Sequence, residues 1–150
     1  MLIEKLIKLN TIKLIEPNER ISKSYILKSQ KSIRSAKATL RIDSLENSIS
    51  LSYYSMYYMA TALLYKSGIK CENHTGTIII MKELFEMDNE PLIIGKRERI
   101  EKQYYVDFSV TKKDVKDVIS MAEDFNKNII SKIDTISNDE VSMIRGIIQK

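Results

Sequence analysis

The chain has 150 residues, 43% of them apolar and 29% charged, with a net charge of +4 at neutral pH. That balance is ordinary for a soluble globular protein and fits one domain spanning residues 1–150 that buries a core without staples. One cysteine, one histidine, four glycines and two prolines exclude an internal disulfide and a Cys/His metal centre, and supply too few turn residues for a β-sandwich.

Residues 1–16 are predicted as a first, peripheral helix, with Leu2, Ile3, Leu6, Ile7 and Leu9 to one side. Pro17 ends it, because a proline pushes the preceding residue out of the α region. Glu4, Lys5, Lys8 and Lys13 interrupt its apolar residues, so no signal peptide is read there. No run reaches the ~18 apolar residues of a membrane span. No membrane association is expected, and a cytoplasmic location is.

A second helix is predicted over 18–42, with Asn18 as N-cap. Ile26, Ser29, Ile33, Ala36 and Leu40 form a narrow stripe whose small members let another helix come close. From Arg20 to Ile42 there is no acidic residue, while Arg20, Lys23, Lys28, Lys31, Arg34, Lys37 and Arg41 spread over the opposite half. That face reads as solvated, or as a surface for RNA or an acidic partner.

Residues 43–67 are predicted as the central helix, with Leu45, Ile49, Ser52, Met56, Met59, Ala60 and Leu63 on one side. The pairs Tyr53–Tyr54 and Tyr57–Tyr58 widen that side to a belt, so neighbours are expected all round. Asp43 with Glu46 suggests a capping box at its start, and Gly68 a left-handed cap at its end. A short connection through Cys71 leads to His74-Thr75-Gly76 and a shorter helix through Ile78, Met81, Leu84 and Phe85. The next helix spans 91–109, with Ile93, Ile100, Tyr104 and Phe108 assigned to the core and Lys96, Arg97, Arg99 and Lys102 making its middle basic. Thr111 with Asp114 caps a long helix over 112–134, marked by Val115, Val118, Ile119, Ala122, Phe125, Ile129, Ile130 and Ile133. A peripheral terminal helix follows over 138–149. The expectation is an all-α, up-and-down antiparallel four-helix bundle with extra short helices, its core about residues 18–134.

No glycine-rich phosphate loop, dinucleotide fingerprint or metal-ligand spacing occurs, so no cofactor and no metal are expected. His74 is the one side chain that titrates near neutral pH without help, and either orders its helix start or handles a proton or phosphate. Arg97 and Arg99, with Tyr104 and Tyr105 just beyond, read either as a solvated basic face or as an anion site.

Four stretches together resemble the HEPN domain family. Ser52-Tyr53-Tyr54-Ser55 through Leu63-Leu64 is similar to the family's alanine–tyrosine–tyrosine–alanine helix with its double leucine. Gly68 followed by His74-Thr75-Gly76 is similar to its lysine–histidine–serine–glycine step. Arg99 with Tyr104 is similar to its arginine-to-tyrosine signature, and Thr111-Lys112-Lys113-Asp114 through Phe125 to its last long helix. The resemblance covers about residues 20–134. It implies a helical bundle that dimerises, within a toxin–antitoxin-like module, binding nucleotide or RNA and acting with a nucleotidyltransferase partner. Active ribonucleases of the family carry histidine four to six residues after the arginine. Here Gln103, Tyr104 and Tyr105 hold those places, and Thr61 stands where many relatives carry arginine. Catalysis therefore stays open: the alternatives are a metal-independent ribonuclease with a composite dimer-interface site, and a non-catalytic adaptor bundle. The residues implied are Arg99, Tyr104 and His74 for catalysis, and Arg97, Arg99 and Tyr105 for nucleotide or RNA.

Overall fold

The computed structural model describes residues 2–104 and 109–150, the side chains of 102–104 excepted. The elements are α1 Leu2–Lys8, β1 Ile12–Leu14, α2 Glu19–Arg41, α3 Leu45–Lys66, β2 Ile69–Cys71, α4 His74–Glu83, α5 Glu90–Tyr104, α6 Lys112–Thr135 and α7 Asn138–Gln149. The four long helices of the expected bundle are α2, α3, α5 and α6, and the architecture is all-α apart from one small β pair.

The central helix is α3. Tyr53, Met56, Met59, Ala60, Leu63 and Leu64 are buried along it, and α2, α4, α5 and α6 all pack on it. Each large side chain removed from water there contributes about 2 kcal/mol. Its closest companion is α2, and the cause is a row of small residues at heptad spacing. Ser22, Ser29 and Ala36 are the buried residues of α2. Ser22 Oγ donates to the Ala62 carbonyl at 2.7 Å, Ser29 Oγ to the Ser55 carbonyl at 2.7 Å, and Ser48 Oγ to the Ala36 carbonyl at 2.5 Å. Serines thus let the two backbones approach and satisfy their own hydroxyls across the contact. The predicted stripe supplies Ser29 and Ala36 of this seam. α6 lays Val115, Val118, Ile119, Ala122, Phe125, Ile129 and Ile133 on the bundle.

Asn18 caps α2, accepting from the Ile21 amide, and Thr111 and Asp114 form the predicted reciprocal box on α6. Four expectations are corrected. The predicted helix over 1–16 ends at Lys8. Asn10 takes φ 56°, and Ile12–Leu14 then pairs antiparallel with Ile69–Cys71, Ile12 opposite Cys71. Ile12 and Leu14 alternate with Lys13, so a strand turns both away from the exposed lysine, where a helix would set them ~200° apart. The stretch read as a connection through Cys71 is the partner strand. At the start of α3, Asp43 takes φ 60° and pairs with Lys112 at 3.1 Å, so Ser44 holds the N-cap position and the Asp43–Glu46 box is not formed. On α5, Ile93 and Ile100 are exposed, while Leu92 and Gly95 face α3. Phe108 lies outside the described residues.

Among the described residues, no helix is long and apolar enough to cross a membrane.

Candidate functional site

The site forms where the start of α4 meets the flanks of α3 and α5. Asn73 Oδ1 accepts from the Gly76 amide at 2.9 Å, which starts α4 with His74 in its first turn. The His74 ring stacks on Tyr57, centroids 3.9 Å apart and planes 15° off parallel. Tyr54 meets it edge-on at 6.0 Å. The fully buried Tyr53 places its hydroxyl 2.8 Å from His74 Nδ1. Tyr53, Tyr54 and Tyr57 are one turn of α3, so a single helix holds the imidazole from three directions.

Gly95 sets how close α5 comes. A Cβ there would lie 2.7 Å from Met56 Cε and 3.3 Å from Tyr53 Cδ1. With hydrogen in that place, the next turn of α5 brings Arg99 over Tyr54, its Cζ 5.1 Å from the ring centroid, a cation–π contact. Lys96, three residues before Arg99 and so on the same side, donates to Thr75 Oγ1 at 2.9 Å.

The electrostatics follow from this packing. Burial, then the positive charges of Lys96 and Arg99, hold His74 below the usual imidazole range. Burial, then Tyr57 and Tyr54, push the Tyr53 phenol up, so it keeps its proton. Nδ1 of the neutral ring accepts from that hydroxyl or donates to it according to the tautomer, and Nε2 takes the opposite role. Burial raises Tyr57 as well. A depressed native histidine binds its proton later than the unfolded one, near pH ~6.5. Its contribution to stability is therefore complete above pH ~6.5 and declines as pH falls from there through the lowered native value. Urea unfolding of wild type and His74→Gln between pH 7.5 and 5 checks this: the gap between the two should narrow as pH falls, and a constant gap counts against a neutral His74.

His74 and Arg99, two of the predicted catalytic residues, are thus brought around the same tyrosines. Tyr104 is the last residue of α5. Tyr105 lies outside the described residues. Arg97 is turned away from Arg99: two residues apart on a helix, they sit ~200° around it. Arg97 is exposed and lines a groove of about 810 Å³ between α4 and α5, with Ile79, Ile93 and Ile100 on its floor and Lys96 and Thr75 at the edge shared with His74. The predicted arginine pair is two separate positions. Lys96 is the cation that joins Arg99, and it escaped the reading by residue type. Helical spacing from Arg99 is the signal that points to it.

The HEPN domain model matches residues 22–132, which spans α2 to α6. The chain belongs to the HEPN domain family. No curated protein matches it.

Proposed function

We propose that this chain is the HEPN-type member of a toxin–antitoxin-like module, binding nucleotide or RNA and working with a nucleotidyltransferase partner as a homodimer. The observation that supports the reading is the convergence of Arg99 and the neutral His74 on the Tyr54 ring, with the charge of Lys96 also acting on His74. Two cations suit a phosphate, and a polar imidazole and a phenol face suit the attached nucleoside. Arg97 contributes from the adjoining groove, and the reading also includes Tyr104 and Tyr105.

Titration of AMP against wild type and Arg99→Ala tests this. Loss of one charge-assisted contact should weaken binding by roughly tenfold or more. Equal affinity, or negligible binding by both, overturns the site.

One observation favours a ribonuclease reading of the same residues. In the tautomer whose Nδ1–H donates to Tyr53, Nε2 of a neutral His74 can accept the proton of an attacking 2′-hydroxyl while the 5′-oxygen leaves phosphorus to take a proton from water, and Arg99 can hold the charge that develops on the phosphoryl oxygens. Cleavage of RNA in chelator by wild type, lost in the same Arg99→Ala variant, is the result that reading requires.

A further inference from the structure

A second set of aromatic groups starts at this cluster and leads away from it. Tyr54, Tyr58 and Tyr65 fall on one stripe of α3 at ~100° per residue. Tyr54 and Tyr58 have centroids 5.9 Å apart. Tyr25, from α2, fills the gap further along. It lies 6.1 Å from Tyr58 and stacks on Tyr65 at 5.4 Å with planes 11° apart. All four rings are half-buried, so each keeps part of its surface open. Arg99 covers the first ring, and Lys28 Nζ lies 4.6 Å from the Tyr58 centroid and 5.7 Å from that of Tyr25. A crevice of about 210 Å³ opens beside Tyr25, Tyr58 and Tyr65, with Lys70 and Glu72 on its rim, themselves paired at 3.3 Å.

Two properties of this face point to one kind of ligand. Aromatic faces in a row accept nucleobases whatever their identity, because every base has a π-face. The flank is cationic: α2 carries no acidic residue beyond Glu19, and Lys23, Lys28 and Lys31 are exposed on it. Phosphates are attracted to such a flank. A second copy of the chain meeting this face about a two-fold axis would set those lysines against themselves, which like-charge repulsion opposes.

We propose that the row Tyr54–Tyr58–Tyr25–Tyr65 is a stacking track for a single-stranded polynucleotide, RNA or DNA. It leads from the His74–Arg99 cluster along α3, and it rests on the reading of that cluster as a phosphate and nucleoside site. Lys28 marks the ring faces open to a base, and a bound strand moves its ammonium onto a phosphate. From Tyr54 to Tyr65 the helix rises ~16 Å, the length of about four to five nucleotides at their ~3.4 Å spacing. A duplex, whose bases already stack on each other, cannot use the track.

The test measures fluorescence anisotropy with oligouridylates and oligothymidylates of two to eight nucleotides, an eight-base-pair duplex, and competition by AMP. Wild type, Tyr65→Ser and Lys28→Glu are compared, the last an exposed substitution that the fold tolerates. Affinity should rise with length and level off near five nucleotides. It should be comparable for the two sugars, because ring faces do not read the 2′-hydroxyl, and weak for the duplex. Tyr65→Ser should weaken the octamer about tenfold and leave AMP unchanged. Lys28→Glu should weaken the octamer and flatten its salt dependence. AMP binding with no gain from length overturns the track and leaves the cluster standing. Octamer binding that depends on Tyr65, without AMP binding, overturns the cluster and leaves the track. Variants that change self-association and not octamer binding assign the face to a contact between copies, and overturn the track.

Discussion

Gly68→Ala is expected to lose at least ~3 kcal/mol of folding stability, a large share of the ~5–15 kcal/mol that holds a domain of this size. Two costs add. Gly68 has φ 72°, where a side chain is strained by ~1 kcal/mol or more. A methyl group there also lands 2.1 Å from Arg145 Nη1, 2.6 Å from the Ile15 carbonyl oxygen and 3.0 Å from Pro17 Cδ. Two of those neighbours are held in place. Arg145 Nη1 donates to the carbonyls of Ile15 at 2.8 Å and Gly68 at 2.7 Å, and the Ile15 amide donates back to the Gly68 carbonyl at 2.9 Å. One guanidinium thus ties α7 to the turn where α3 ends and to the segment leaving β1. The methyl forces it off the part-buried carbonyls that it satisfies. Gly146→Ala is the control, since nothing lies within 4 Å of the added carbon. In the interior of α7 it should stabilise by about 0.5–1 kcal/mol. Urea midpoints at constant slope measure both, and a Gly68→Ala protein within 1 kcal/mol of wild type would contradict the clamp.

Ser55→Ala should cost about 2 kcal/mol for the loss of one oxygen atom. Ser55 is fully buried where α2, α3 and α6 meet. Its hydroxyl donates to the Ser29 carbonyl at 2.8 Å and accepts from Asn126 Nδ2 at 2.9 Å, and Ser29 Oγ lies 3.1 Å from it. Among the described residues, Asn126 Oδ1 is buried with no hydrogen-bond partner, and the bond from Nδ2 to Ser55 is the one its side-chain amide makes. Alanine at 55 leaves both ends of a buried amide unsatisfied, which carries the full cost of desolvation. Asn126→Leu on its own exchanges that amide for an apolar group of similar volume. The double variant should therefore be less destabilised than the sum of the two singles by about 1 kcal/mol or more. Additive losses in the denaturation midpoints would show that the Asn126 amide is indifferent to Ser55.

The same two places show how far the residues can be read in advance. Gly68 was legible as a left-handed cap from its position after an unbroken apolar helix. That Arg145, seventy-seven residues later, closes over it was not, because no local pattern encodes a contact between a terminal helix and a turn. Ser29 was legible as a small member of the α2 stripe. Its hydroxyl partner was not, because an apolar period places small residues without saying which carbonyl they will meet. Ile93 and Ile100 misled for a related reason. On a helix that meets the bundle through Leu92 and Gly95, these two isoleucines point away from the contact, and Gly95 carries no signal of burial.

Periodicity, capping residues and scarce turn residues determined the four long helices and their order, since each depends on neighbours within one or two turns, while the family was carried by the motifs between Ser52 and Phe125. The strand at Ile12–Leu14 needed Ile69–Cys71 beside it, and only packing could decide that pairing. The site divides in the same way. The residue types of His74, Arg99 and the tyrosines were visible along the chain, while their meeting, the entry of Lys96 and the separation of Arg97 were decided by the approach of α5 to α3 at Gly95. Helical pitch sets which residues share a face. Which face finds a neighbour is set by how closely two backbones can come, and that is a property of the assembled bundle.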